Sequence, residues 1–206
     1  MEEHLDLQAG EISLEARFCP GPAPAGAVIT HPHPLYGGSM DNNVVWTAAR
    51  AFGDRGWSTL RFNFRGVGRS TGVHGGGLQE VEDIAAAAAF LQSRISGPCF
   101  LVGYSFGAAV AARALHKGLE VAGAVLISPP IAFMELTFLS ETPRLALAVA
   151  GDRDELCPLA DLEKLCRDRE PPLELRVVPG SDHFYAGREQ ELFDILREYP
   201  LLGEAG

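Results

Sequence analysis

The sequence predicts an α/β protein: one mainly parallel sheet of about eight strands, with helices on both faces. Three observations carry this expectation. Apolar or β-rich runs alternate with helical patterns along most of the chain, as in βαβ units. The later runs are apolar throughout, which suits parallel strands covered on both faces. The first two runs are separated by little more than Ala9-Gly10, a turn that fits an antiparallel hairpin at one edge.

The elements follow in order. Residues 4–8 and 11–18 read as the hairpin, the second alternating as Glu-Ile-Ser-Leu-Glu-Ala-Arg-Phe. Residues 26–30 (Gly-Ala-Val-Ile-Thr) and 57–63 (Trp-Ser-Thr-Leu-Arg-Phe-Asn) are strands with a helical pattern over 41–54 between them. A helix over 78–94 contains the alanine run 85–89, and a strand follows at 98–103. The remaining strands are expected at 122–128, 145–150 and 173–178, and the remaining helices at 106–117, 158–168 and 188–197. In such sheets ligands bind outside the carboxyl ends of the strands, so reactive residues should directly follow strands.

The 206 residues are 47% hydrophobic and 21% charged, ordinary globular usage. No Pro/Ser-rich stretch or repeat divides the chain, so one domain over 1–206 is expected. The formal net charge of −10 makes nucleic acid and anionic lipid poor partners. No apolar run approaches the roughly 20 residues of a membrane span. The acidic Met-Glu-Glu-His-Leu-Asp start lacks a signal-peptide pattern, and a cytoplasmic protein is expected. Cys19, Cys99, Cys157 and Cys166 are scattered and read as small apolar fillers.

Gly103-Tyr104-Ser105-Phe106-Gly107 matches Gly-x-Ser-x-Gly. A capping serine in a glycine-bounded turn explains the bare pattern as well. The context adds weight: a buried strand precedes Ser105 and an alanine-rich helix follows it. The helix N-terminus favours developing negative charge, and the Phe106 N–H is placed to meet an oxyanion. Serine needs a base to take its proton. Of the six histidines, His183 lies just after the run 173–178, in Pro-Gly-Ser-Asp-His-Phe. A carboxylate must in turn orient the imidazole. Asp152 and Asp154 both follow the run 145–150, and a solvated acidic loop is the ordinary fate of such residues. Asp154, deeper in the loop, is the better candidate, and Asp152 suits turn support. The order Ser, Asp, His after three different strands is that of the α/β-hydrolase triad.

With these residues in place the chain resembles an α/β-hydrolase over nearly its whole length. His31-Pro-His-Pro-Leu-Tyr-Gly-Gly38 is similar to the oxyanion loop of small bacterial hydrolases. Arg61-Phe-Asn-Phe-Arg-Gly-Val-Gly-Arg-Ser70 resembles an Asp-x-Arg-Gly-x-Gly-x-Ser segment, with Asn63 where the pattern has aspartate. The resemblance points to a compact group allied to dienelactone hydrolases and esterases. Dienelactone hydrolases use a cysteine nucleophile where this chain has Ser105. The resemblance implies a second oxyanion N–H within 33–36, His33 being favoured and the register left open. About seventeen residues (129–145) separate the sixth and seventh strands, too few for a lid domain. An open pocket bordered by Tyr36, Phe106, Phe133, Met134 and Phe138 is therefore expected, although core packing explains any one of them.

Three rivals compete. A metal hydrolase would use His31-x-His33 with Asp152, Asp154 and His183, but two prolines interrupt the segment. A nucleotide site at Gly66-x-Gly68-x-x-x-Gly72 has its third glycine one place late. A hydrolase fold can also serve as a catalytically silent binding protein. The reading adopted is a serine hydrolase that cleaves a small acyl ester or thioester and needs no metal or cofactor. Peptidase or acyltransferase chemistry is available to the same triad, and a homodimer could border the pocket.

Overall fold

A strand covered on both sides is mostly apolar and buried throughout, and the five-residue strands of this chain are buried along their full length, although the strand Ser58–Phe62 buries Ser58, Thr59 and Arg61. The computed structural model describes residues 2–201. Its strands are β1 (Glu3–Ala9), β2 (Ile12–Cys19), β3 (Gly26–Thr30), β4 (Ser58–Phe62), β5 (Cys99–Tyr104), β6 (Gly123–Ile127), β7 (Leu145–Gly151) and β8 (Leu175–Val178). The helices are α1 (Asn43–Asp54), α2 (Glu80–Gln92), α3 (Phe106–His116), α4 (Leu159–Arg167) and α5 (Glu189–Glu198). Every run expected as a strand or helix forms one, with ends shifted by a residue or two.

The sheet order is β1-β2-β4-β3-β5-β6-β7-β8. β1 pairs antiparallel with β2, and β2 antiparallel with β4; the other neighbours are parallel. Phe100, Val102 and Tyr104 of β5 face the core shared with α1 and α5, while Cys99 and Leu101 face α2 and α3. The alanine run lets α2 lie close to α3, which is itself rich in alanine. Asn42 caps α1, its side chain accepting from the Val44 N–H at 2.9 Å. Between β6 and β7 the chain makes only turns and a short 3-10 turn at Thr137–Ser140, so no lid domain stands over the sheet. Among the described residues no helix is long and apolar enough to cross a membrane.

Six parallel strands deliver their following loops to one edge, and two buried polar side chains tie those loops together. The His31 ring is fully buried. Its Nδ1–H donates to the Pro32 carbonyl at 2.6 Å, and Nε2 accepts from the Phe64 N–H at 3.0 Å. The segment after β3 is thus tied to the segment after β4. Asn63 reinforces this connection: its Oδ1 accepts from the Met40 N–H at 2.8 Å, and its Nδ2 donates to Glu15 Oε2 at 2.9 Å. An aspartate could not make the second bond, which accounts for the asparagine. Burial pushes the Glu15 carboxyl up, but the Arg69 N–H and the Asn63 amide outweigh it and hold it below its ordinary value.

Two stability tests follow from this geometry. In Asn63→Asp two carboxylates would face each other across the present hydrogen bond. At pH 7 the variant should lose roughly 1–3 kcal/mol. One carboxyl of the pair would hold its proton to higher pH folded than unfolded, so the loss should shrink as pH falls toward 4.5; thermal denaturation at the two pH values measures this. Burial pushes His31 down from 6.5 to about 4. The unfolded chain therefore binds the proton first, and His31 makes the fold lose stability as pH falls from 6.5 to about 4. His31→Gln should be less stable at pH 8 yet show a flatter stability profile over that window.

Candidate active site

β5 runs directly into α3 through Ser105, whose φ of 53° and ψ of −119° lie outside the ordinary regions for a side-chain-bearing residue. The flanking glycines make this corner possible. A Cβ on Gly103 would lie 2.5 Å from the Ala108 Cα. One on Gly107 would lie 2.6 Å from Thr30 Oγ1 and 2.7 Å from the His31 carbonyl oxygen. The turn therefore presses directly on the segment after β3. The Ser105 N–H donates to the Ile127 carbonyl at 2.9 Å, which fixes it to the end of β6.

Ser105 Oγ lies 2.8 Å from His183 Nε2. His183 Nδ1 lies 2.9 Å from both carboxylate oxygens of Asp154. Asp154 is buried, and its Oδ1 also accepts from the N–H groups of Leu156 and Cys157 at 2.9 Å each. An Asp154 carboxylate at Nδ1 calls for the Nδ1–H tautomer, leaving Nε2 free to accept from the serine hydroxyl. Asp152 lies elsewhere: its Oδ1 accepts from the Gly180 N–H at 2.7 Å, linking the loops after β7 and β8. Tyr104 holds the histidine from behind, its hydroxyl donating to the His183 carbonyl at 2.9 Å. Burial pushes that hydroxyl well above its ordinary pKa, so it remains a donor. Tyr104 occupies the variable position before the serine, where sequence gives no signal of this bond.

Most backbone N–H groups of the 33–36 segment are used within it or absent. Pro34 has no N–H. The Leu35 N–H donates to His33 Nδ1 at 3.2 Å, and the Tyr36 N–H donates to the His33 carbonyl at 3.1 Å. Among the described residues that leaves the His33 N–H as the one backbone donor of the segment without a protein partner. The Phe106 N–H, in the first turn of α3, likewise has no intrahelical acceptor. The His33 and Phe106 rings meet with centroids 4.9 Å apart.

The side chains expected to border the pocket are placed differently. Tyr36 is 88% exposed and Phe133 73% exposed, while Met134 packs partly against the core. Phe138 also packs against the core, beside His116 and Arg113. The cavity that reaches His183 has a volume of about 330 Å³ and is lined by Arg153, Glu155, Leu156, Asp182, His183 and Phe184. Polar loop residues of this kind carry no pattern that marks them as pocket walls. Both ring nitrogens of His31 are used inside the protein, so it is not free to join a metal with His33. Among the described residues no group of three or more His, Cys, Asp or Glu is arranged to hold a metal ion.

Residues 37–172 match the family described as serine aminopeptidase, S33. An uncharacterized protein of Rickettsia prowazekii is 31% identical over 198 residues, covering 90% of this chain and 83% of its own length. An alpha-beta serine hydrolase homologue from Coxiella burnetii superposes with a TM-score of 0.88 at 34% identity, over 95% of each chain. An a/b serine hydrolase without lid from Xanthomonas campestris gives 0.87 at 31% identity, over 95% of this chain and 92% of that one. The chain belongs to the serine aminopeptidase S33 family and, with it, to the α/β-hydrolase superfamily of serine hydrolases.

Proposed function

We propose that this α/β serine hydrolase cleaves a small acyl ester or thioester through an acyl-enzyme on Ser105. The observation that supports this most is the unbroken hydrogen-bond chain from Ser105 Oγ through His183 to the buried Asp154. Ser105 Oγ attacks the acyl carbon while His183 Nε2 takes its proton. Asp154 stabilises the imidazolium that forms and keeps the ring aligned. Negative charge collects on the former carbonyl oxygen, and the N–H groups of Phe106 and His33 donate to it. The C–O or C–S bond to the leaving group then breaks, and His183 gives that group its proton. Water, deprotonated by the same imidazole, hydrolyses the acyl-serine and restores the enzyme. No metal or cofactor takes part.

The leaving group departs on the His183 side, where the 330 Å³ cavity lies. A cavity of that size sits at the small end of ligand sites, which favours a short leaving group.

Hydrolysis of short-chain p-nitrophenyl esters, an acyl thioester and an aminoacyl anilide tests the reading. The esters and the thioester should turn over and the anilide should not; turnover of the anilide alone would replace the ester reading with a peptidase one. Ser105→Ala should lower kcat by several orders of magnitude. Asp154→Asn should lower it by roughly 10³–10⁴-fold. Asp152→Asn should lower it by less than about tenfold, since it removes a loop contact and not the partner of His183.

A further inference from the structure

A second histidine stands beside the catalytic apparatus and takes no part in the proton chain. His74 lies in the long segment after β4, and its ring meets two others: His33 at 4.9 Å and Phe106 at 5.3 Å between centroids. With the His33–Phe106 contact at 4.9 Å, the three rings close a triangle. Two of its corners carry the backbone N–H groups that the proposed function assigns to the oxyanion. The third corner, His74, is held from α2.

That hold is specific. Glu80, fully buried in the first turn of α2, accepts from the Gly75 N–H at 2.6 Å and the Gly77 N–H at 2.8 Å. The helix N-terminus favours its carboxylate. Glu80 Oε1 also lies 3.0 Å from His74 Nδ1, off the axis of an aligned hydrogen bond. From α3, Arg113 Nη1 donates to the Gly77 carbonyl at 2.9 Å. Both flanking helices therefore pin the 74–77 turn, and the pinned turn presses His74 against the two donor-bearing residues. The groups facing His74 are His33 from the segment after β3 and Glu80 from α2. Burial pushes His33 below its ordinary pKa, and the facing His74 pushes it the same way.

We propose that His74, fixed by Glu80, is a positioning residue for the oxyanion donors of His33 and Phe106. The proposal rests on the serine-hydrolase reading above. A truncated ring would leave one side of the triangle open, and the two donor residues would settle apart. Misplacement of reacting groups by an ångström costs up to about 10²-fold. An interaction made only in the transition state appears in kcat, not KM.

The test uses the purified full chain and the best p-nitrophenyl ester. His74→Ala should lower kcat about tenfold with KM within about twofold of wild type. His74→Phe, which keeps a ring at the third corner, should restore kcat to within about threefold of wild type. Unchanged kcat in His74→Ala, a rise in KM alone, or failure of His74→Phe to restore kcat would each overturn the proposal. Ser105→Ala run in parallel separates the two levels. If it is as active as wild type, the serine-hydrolase reading fails and takes this proposal with it. If it is inactive while His74→Ala is unimpaired, the positioning role alone is lost.

Discussion

The backbone at Ser105 adopts φ 53° and ψ −119° because a buried strand must turn into a buried helix within a single residue. Residues held in such regions cost on the order of 1–3 kcal/mol and persist only where their surroundings fix them. Here the surroundings are closely specified. The Ser105 N–H is bonded to β6, Gly103 admits α3, and Gly107 admits the segment after β3. The same corner raises the serine hydroxyl toward the loops that carry His183 and Asp154. It also leaves the first N–H of α3 unbonded at the spot where negative charge would form. The remaining contacts of the site depend on this corner being held.

The parallel sheet supplies the other half of the arrangement. Its six parallel strands bring all their following loops to one edge, and polar side chains then lock those loops to one another. His31 joins the segments after β3 and β4, Asp152 joins those after β7 and β8, and Tyr104 ties the end of β5 to His183. The His31 and Tyr104 bonds are buried and costly to leave half made, while the Asp152 bond lies at the surface. The apolar cores on the two faces, one with α2 and α3 and the other with α1 and α5, hold the strands in register beneath.

The fold was legible because its signals are local. Apolar runs bounded by glycine and proline mark the strands, and Ala9-Gly10 marks the edge hairpin. Ser105, Asp154 and His183 were legible as candidates for a related reason: each directly follows a strand. In sequence, Asp154 stands apart from Asp152 by its depth in the loop and its place before the next helix, whereas the physical distinction is its 2.9 Å approach to His183 Nδ1. Other features depend on pairings that sequence does not express. The unpartnered His33 N–H depends on the bonds that the Leu35 and Tyr36 N–H groups make within the turn. His74 and Glu80 are drawn to the site by a glycine turn between two helices, and neither belongs to a recognisable motif. Tyr36 and Phe133 lie in the loop after β3 and the short β6–β7 connection, where a lidless pocket is expected, whereas the cavity beside His183 is walled mostly by charged and polar loop residues.

The proposed chemistry requires that the Ser105 hydroxyl be activated by its His183–Asp154 partners. Intact mass after incubation with a fluorophosphonate measures this most directly, because the reagent phosphonylates an activated serine irrespective of the natural substrate. The expected result is one adduct on wild type, none on Ser105→Ala, and slow labelling of His183→Ala. No adduct on folded wild type, or an equal adduct on Ser105→Ala, would show that Ser105 is not the activated nucleophile.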